Sequence, residues 1–336
     1  MTDVTNLFID KITLVYRCSE QDVEGIASTI YSYQESHEVA VSFRGRYYQS
    51  RGYYHNWQLH IPGHGNSARV LLMADSRRNP ETAQFSMEWN PRHLQRDGHQ
   101  QLWEILRLFL LDNFNDFLRS VVVTRIDFAV DVTPMTPDAI WVNAQHLVNS
   151  DIRTGRAGSI VEAGYAPIET ISLGSGRGGA TFFRIYSINA ARPENALPMP
   201  EQTRIEVQLK PRVSLNELHV DPVENPFERL LVARSVDPLA LHDAPPRYRI
   251  FLDCVHRRGL QGALRMLTNL GTRCVYHKWI EDNLSTDWFD ANQIWEGYHD
   301  AWAILGLEPF FEPQLWRFSQ GHRIRIRRRR GGVPPR

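Results

Sequence analysis

The sequence predicts an α+β fold built on antiparallel sheet, with a helical C-terminal appendage. Over residues 39–92, several short strand-like runs are divided by Gly, Asn, Ser and Pro. Turns of an antiparallel sheet require that punctuation. After Pro211 the texture changes to longer, helix-like segments interrupted by prolines. A length of 336 residues supports a large core, enough for one elaborate domain and an appendage.

Taken in order, LFIDKITLVYRC (7–18) alternates as a strand, and EQDVEGIASTIYSYQE reads as an amphipathic helix. Between 39 and 92, VAVSF, YYHNWQLHI, ARVLLMA and AQFSMEW are strand-like. QQLWEILRLFLLDNFNDFLRS (100–120) predicts one helix with a broad apolar face, running directly into the strand VVVTRIDFAVDV. PDAIWVNAQHLVNS predicts a helix opened by proline. ETISLGSGRGGATFFRIYSI gives two strands around a Gly-rich turn, and TRIEVQLK another strand. NPFERLLVARSV, GLQGALRMLTNL and NQIWEGYHDAWAILG are helix-like. The expected divisions are 1–215, a helical appendage over 216–318, and an Arg-rich tail over 319–336.

No run of 18 apolar residues occurs, and residues 1–20 carry Asp3 and Asp10, so neither a membrane span nor a secretory leader is expected. Cys18, Cys254 and Cys274, without a C-x-x-C, suit a reducing cytoplasm and no zinc site. The formal net charge of zero conceals an uneven distribution. The last fifteen residues hold seven arginines and no acid, so the other 321 residues sum to −7 (31 basic against 38 acidic). Such a tail points to nucleic acid, through Arg323, Arg325, Arg327, Arg328, Arg329 and Arg330, or else to a solubilising end. Lysine is confined to Lys11, Lys210 and Lys278.

TRIDFAVDV and TRIEVQLK share a form: Thr-Arg, an aliphatic residue, a carboxylate, then alternating apolar positions. Successive strand residues take opposite faces. Arg125 and Asp127 therefore share a face opposite Ile126 and Phe128, as Arg204 and Glu206 do opposite Ile205 and Val207. On neighbouring strands the two carboxylates would converge on a polar sheet face. Hard oxygen ligands of that kind suit Mg²⁺ or Mn²⁺. Two exposed rows of Arg–acid pairs, stabilising a sheet face, are the plainer alternative.

His60 and His64 in LHIPGH fit a turn better than a paired-ligand strand, and His55 and His60 read as ordinary polar positions. Tyr47, Tyr48, Tyr53, Tyr54 and Trp57 are interleaved with Arg44, Arg46 and Arg51. Aromatics stack unpaired bases while arginines hold phosphates, although alternate residues of a strand face the core. No Walker-type loop occurs, and the glycines of GSGRGG join two strands instead of opening a helix.

Five segments now matter together: FIDKITLVY, RGRYYQSRGYY, TRIDFAVDV, ETISLGSGRGGATFFRIYSI and TRIEVQLK. In this order, across residues 7–212, they resemble the replication initiation factor (Rep_trans) family. Its members start rolling-circle replication of plasmids and filamentous phages, and related relaxases serve conjugative elements. The resemblance implies an RRM-like, HUH-endonuclease-like topology. It also implies a DNA nick made by tyrosine, leaving a 5′-phosphotyrosine and a free 3′-OH, with Mg²⁺ or Mn²⁺ polarising the phosphate.

By that resemblance the nucleophile falls on Tyr186, and the metal carboxylates on Asp127 and Glu206. Asp131, four residues after Asp127 on the same face, is a further candidate ligand. Arg125, Arg204, Arg184 and Arg177 are expected at DNA. A phenol with pKa about 10 is a poor nucleophile at neutral pH, so it needs a cation, base or metal beside it. Family members usually continue past the tyrosine with Asp-Lys, where this chain reads Ser187-Ile188-Asn189, leaving Arg184 and Arg192 as nearby cations. The expected partners are DNA, as origin hairpin and single strand, with a host helicase and a homodimer as candidates. A conjugative relaxase is a close variant. A non-catalytic DNA-binding protein that keeps the fold is the rival.

Overall fold

In the computed structural model the chain is α+β, with a large antiparallel sheet and several helices. The structure describes residues 2–36, 41–43, 55–61, 69–74, 83–144, 147, 150–154, 168–174, 179, 181–189, 199–307 and 310.

Strands β1 (Asp3–Val4) and β2 (Phe8–Arg17) precede helix α1 (Glu20–Ser36). Strands β3 (Val41–Phe43), β4 (His55–His60), β5 (Arg69–Ala74) and β6 (Gln84–Trp89) follow. Helices α2 (Gln95–Leu110) and α3 (Phe114–Ser120) lead into the long strand β7 (Val122–Thr133). Next come β8 (Ile140–Ala144), β9 (Ser150–Thr154), β10 (Ile168–Gly174), β11 (Thr181–Ser187), β12 (Thr203–Leu209) and β13 (Val213–Ser214). Helix α4 (Leu215–Val220), strand β14 (Leu230–Arg234), and helices α5 (Pro246–Met266), α6 (Leu270–Asn283), α7 (Ala291–Glu296) and α8 (Tyr298–Ala303) complete the order.

The chain divides into two compact units. The first comprises Met1–Leu7, Ala129–Gln208 and Asn225–Glu296; the second comprises Phe8–Phe128, Leu209–Glu224 and Gly297–Arg336. β7 begins in the second unit and ends in the first.

In the second unit the strand order is β3-β4-β5-β6-β2, followed by the opening half of β7, where β13 also pairs. Ile12, Leu14 and Tyr16 of β2 are buried, opposite Trp89, Met87 and Phe85 of β6. Helix α1 buries Val23, Ile26, Ala27 and Ile30, the i, i+3, i+4, i+7 stripe of an amphipathic helix. Its start is a reciprocal cap: Asp22 N–H donates to Ser19 Oγ at 3.1 Å, and Ser19 N–H to Asp22 Oδ2 at 3.0 Å. The cap's hydrogen bonds hold the Asp22 carboxyl below the usual carboxylate range.

The helix expected over 100–120 is broken. α2 ends at Leu110, Leu111 takes a left-handed φ of 48° with its side chain out, and α3 restarts at Phe114. The break re-aims the apolar stripe, so Phe117 is fully buried in α3 as Trp103 and Leu106 are in α2.

In the first unit the order is β9-β10-β11-β12, then the closing half of β7, on which β1 also pairs. A separate two-stranded sheet joins β8 and β14, with Val142 opposite Val232. Two expected helices are strands here. Pro137–Ala139 forms only a 3-10 turn before β8, and Pro226–Arg229 another before β14. Each strand is the other's hydrogen-bonding partner, and Ile140, Val142 and Val232 are β-branched. Against this pair α5 and α6 pack a core of Trp141, Ala233, Phe251, Leu252, Val255, Leu260, Ala263 and Ile280. Gly259, at φ 68° and ψ 161°, interrupts α5 with a backbone shape that only glycine adopts freely.

Candidate active site

Alternation along β11 decides which side chains are offered for chemistry. Phe183 and Ile185 are fully buried on one side, while Arg184 and Tyr186 stand on the other and stay partly exposed. Glu206 comes from β12, where Ile205 and Val207 are also fully buried. A carboxylate at 1% exposure survives in charged form only with a counter-charge. Arg184 supplies it bidentately, its Nη2 donating to Glu206 Oε1 at 2.7 Å and Oε2 at 2.8 Å.

The Tyr186 hydroxyl donates to Glu206 Oε2 at 3.2 Å. The Arg184 guanidinium carbon lies 4.9 Å from the centre of the Tyr186 ring, within cation–π range. Phenol, carboxylate and guanidinium thus form one triad in the first unit. Chemically it can move the phenol proton to Glu206 while a cation faces the ring that would carry the resulting negative charge. The Arg184 side chain is 41% exposed, so an incoming anion can reach it.

Asp131, also in the first unit, is fully buried and belongs to a different pair. Arg204 Nε donates to Asp131 Oδ1 at 2.7 Å and its Nη2 to Oδ2 at 3.1 Å. Thr5 braces the same residue: Asp131 N–H donates to Thr5 Oγ1, and Thr5 N–H to Asp131 O, both at 2.9 Å. Arg204 does not pair with Glu206, its neighbour on the same strand face; it reaches across to β7. In the second unit Arg125 does hold its own-strand acid, Nε donating to Asp127 Oδ1 at 2.8 Å and Oδ2 at 3.1 Å, with Nη2 also on Oδ2.

The acids expected to hold Mg²⁺ or Mn²⁺ do not fit that task as arranged. Among the described residues no three His, Cys, Asp or Glu side chains gather as a metal-holding group. Glu206, Asp131 and Asp127 each have both carboxylate oxygens on an arginine. A cation would have to displace a charge-assisted pair before coordinating. The acids are also buried, so they are not the exposed Arg–acid rows that strand alternation alone allows.

His55 is engaged elsewhere, its Nδ1 at 3.1 Å from the Tyr31 hydroxyl and its ring stacked on Trp57. Trp57, from the aromatic group, is a fully buried core residue. Tyr47, Tyr48, Tyr53, Tyr54, Arg44, Arg46, Arg51, His64, Arg177, Arg192 and the tail arginines lie outside the described residues. One feature escapes the sequence pattern. Thr5 as a brace for Asp131 is set by β1 pairing far along the chain, which leaves no local signal.

No helix among the described residues is long and apolar enough to cross a membrane. The chain matches no family model, no curated protein and no solved structure at a significant level.

Proposed function

We propose that this chain nicks and rejoins one strand of DNA through Tyr186, as an initiator of rolling-circle replication on an RRM-like sheet. The observation that carries the reading is the triad: the Tyr186 hydroxyl on Glu206, and Arg184 on both Glu206 and the tyrosine ring. The order of the five segments, from the early strand to TRIEVQLK, supplies the DNA substrate.

In this reading Glu206 accepts the phenol proton as Tyr186 Oη attacks phosphorus. The new bond is O–P, the bond broken is P–O3′, and the departing 3′ oxygen takes a proton to become the free hydroxyl. Arg184 offsets the negative charge that accumulates on the non-bridging oxygens. The phosphotyrosine conserves the energy of the cleaved bond, so reversing the same steps reseals the strand without ATP. No step is assigned to a metal, because the carboxylates are already paired with arginine.

Tyr186→Phe tests the proposal, since it removes one hydroxyl from a side chain whose ring is held by Arg184. With supercoiled origin plasmid, wild-type protein is expected to yield a denaturation-resistant protein–DNA adduct and the Phe variant none, with DNA affinity unchanged. An adduct persisting in the variant would move the nucleophile elsewhere. No adduct from wild type, with DNA still bound, would make the chain a non-catalytic DNA-binding protein.

A further inference from the structure

Helices α5 and α6 carry a charge opposite in sign to that of the chain around them. Residues 246–280 hold six arginines and Lys278 against the single acid Asp253, a formal charge of +6. Residues 1–321 sum to −7, so those outside this segment sum to −13. A segment this basic, set in an acidic body, complements a polyanion.

Gly259 divides α5 into two helical stretches, and three residues, Leu267 to Asn269, turn the second stretch into α6. The turn is tied on both sides. Arg273 reaches back from α6, its Nε donating to Leu267 O at 2.6 Å and its Nη2 to Arg265 O at 3.4 Å. A cation thus sits on the carbonyl end of the preceding stretch, where the helix dipole favours it. Asn269 caps α6, its Oδ1 accepting from Gly271 N–H at 2.7 Å and Thr272 N–H at 3.4 Å. The second half of α6 is anchored: Ile280 is fully buried, Trp279 stacks on Tyr248 with ring centres 4.4 Å apart, and Tyr276 lies against Phe251. The first half projects. Leu270, Gly271, Thr272, Cys274 and Val275 are all exposed, Leu270 at 72% and Val275 at 55%.

We propose that α6 enters the major groove of duplex DNA and reads base edges with Thr272 and Val275, while Arg265 and Lys278 hold flanking phosphates. The inference rests on the reading that the chain acts on DNA, but on no chemistry at Tyr186. A helix, a three-residue turn and a second helix projecting by its N-terminal half is the element order with which helix-turn-helix proteins read duplex. The projecting half carries no acid to repel phosphate, and its side chains are small or apolar. Thr272 and Val275, at i and i+3, are neighbours on the helix surface, as are Val275 and Lys278. A threonine hydroxyl bonds base edges, and an apolar side chain meets the thymine methyl. Arg265 is exposed beside the turn. Lys278 pairs with Asp282 at 3.2 Å, both exposed, a water-screened contact that a phosphate can replace.

The test selects binders from a randomised duplex pool with the full-length protein, then measures affinity for the enriched duplex and for the starting pool across a salt series. Wild type is expected to enrich one sequence. Thr272→Ala, Val275→Ala should weaken binding to that sequence by about 5- to 150-fold and leave affinity for the pool unchanged. Both changes raise helix propensity, so the loss is not one of folding. Arg265→Gln, Lys278→Gln should weaken binding to both duplexes alike. Its slope of log K against log salt should fall by about 1.8, two phosphates at about 0.9 each. Arg265→Lys, Lys278→Arg keeps both charges and should retain the wild-type slope.

Failure to enrich any sequence, or the same sequence and affinity in the alanine variant, would overturn the proposal. So would a variant that keeps the wild-type sequence preference but loses self-association in sedimentation, which would make the face a contact between copies of the chain. The two readings fail separately. A protein that enriches a duplex and never forms a tyrosine adduct keeps the groove-reading helix and removes the nicking reading. One that forms the adduct and enriches nothing does the reverse.

Discussion

Glu206 carries two demands at once. Its burial requires Arg184 on both oxygens, and proton transfer requires the Tyr186 hydroxyl on one of them. Glu206→Gln separates the demands, because the amide keeps the shape and a hydrogen-bond acceptor but is no base at neutral pH. Adduct formation in a single turnover is expected to slow by about 10²–10⁴, the usual worth of general base catalysis. DNA affinity should change little. An unaltered rate would assign the phenol proton to another group and leave Glu206 as a counter-charge for Arg184. Strand alternation made much of this legible in the sequence, since it places Arg184 with Tyr186 and Arg204 with Glu206 on shared faces. It could not show that Arg204 would cross to Asp131 while Glu206 took Arg184. Alternation fixes the face of each residue, whereas pairing between strands depends on register, which the local pattern does not contain.

The hairpin of β10 and β11 sets that register, with Thr170 opposite Tyr186, Ser172 opposite Arg184 and Gly174 opposite Phe182. Gly174 has φ +94°, and a Cβ there would lie 3.1 Å from Thr181 O and 3.2 Å from Leu147 Cδ1. Gly174→Ala is therefore expected to destabilise the protein by about 1–3 kcal/mol in denaturant unfolding. It should also reduce adduct formation, because a one-residue slip would turn Arg184 and Tyr186 to the opposite face. Gly25→Ala in α1 is the contrast: nothing lies within 4 Å of its Cβ, and helix propensity predicts a gain of about 0.5–1 kcal/mol. Equal behaviour of the two variants would show that Gly174 is not needed for its conformation. The same elements show where reading by segment fails. The pairing of β10 with β11 was legible because the two strands are neighbours in sequence, separated only by a short Gly-rich stretch. β8 and β14 were read as helices because Ile140–Ala144 and Leu230–Arg234 are short, mostly apolar five-residue runs whose period is ambiguous. Their partners are about ninety residues away, and that pairing, not local propensity, decides between helix and strand.

At the scale of the whole molecule, the α+β class and the antiparallel sheet were legible because turn residues divide the strand-like runs so regularly. The two units were not, since each is assembled from segments distant in the chain and β7 contributes to both. Charge is a property of this scale too. Residues 1–321 sum to −7 and residues 322–336 to +7, so the body repels nucleic acid on average while the end attracts it. On the proposed reading, the cation at Arg184 acts against that average locally, and the positive charge of the last fifteen residues would do so as well. Arginines in an end of this composition neutralise phosphates without reading bases, so they add affinity and little specificity. Seven of them on duplex DNA would contribute about −6 to the slope of log K against log salt, at about −0.9 per phosphate. Truncation after Gln320 is expected to weaken binding to origin and random duplex alike, and to flatten the salt dependence by up to that amount. Nicking should persist at high protein concentration, because Tyr186, Glu206 and Arg184 all remain. The covalent adduct and the salt slope, measured on one preparation, separate the two roles. A truncated protein with the wild-type slope would show that the tail does not touch DNA, and its positive charge would then serve contact with an acidic protein partner.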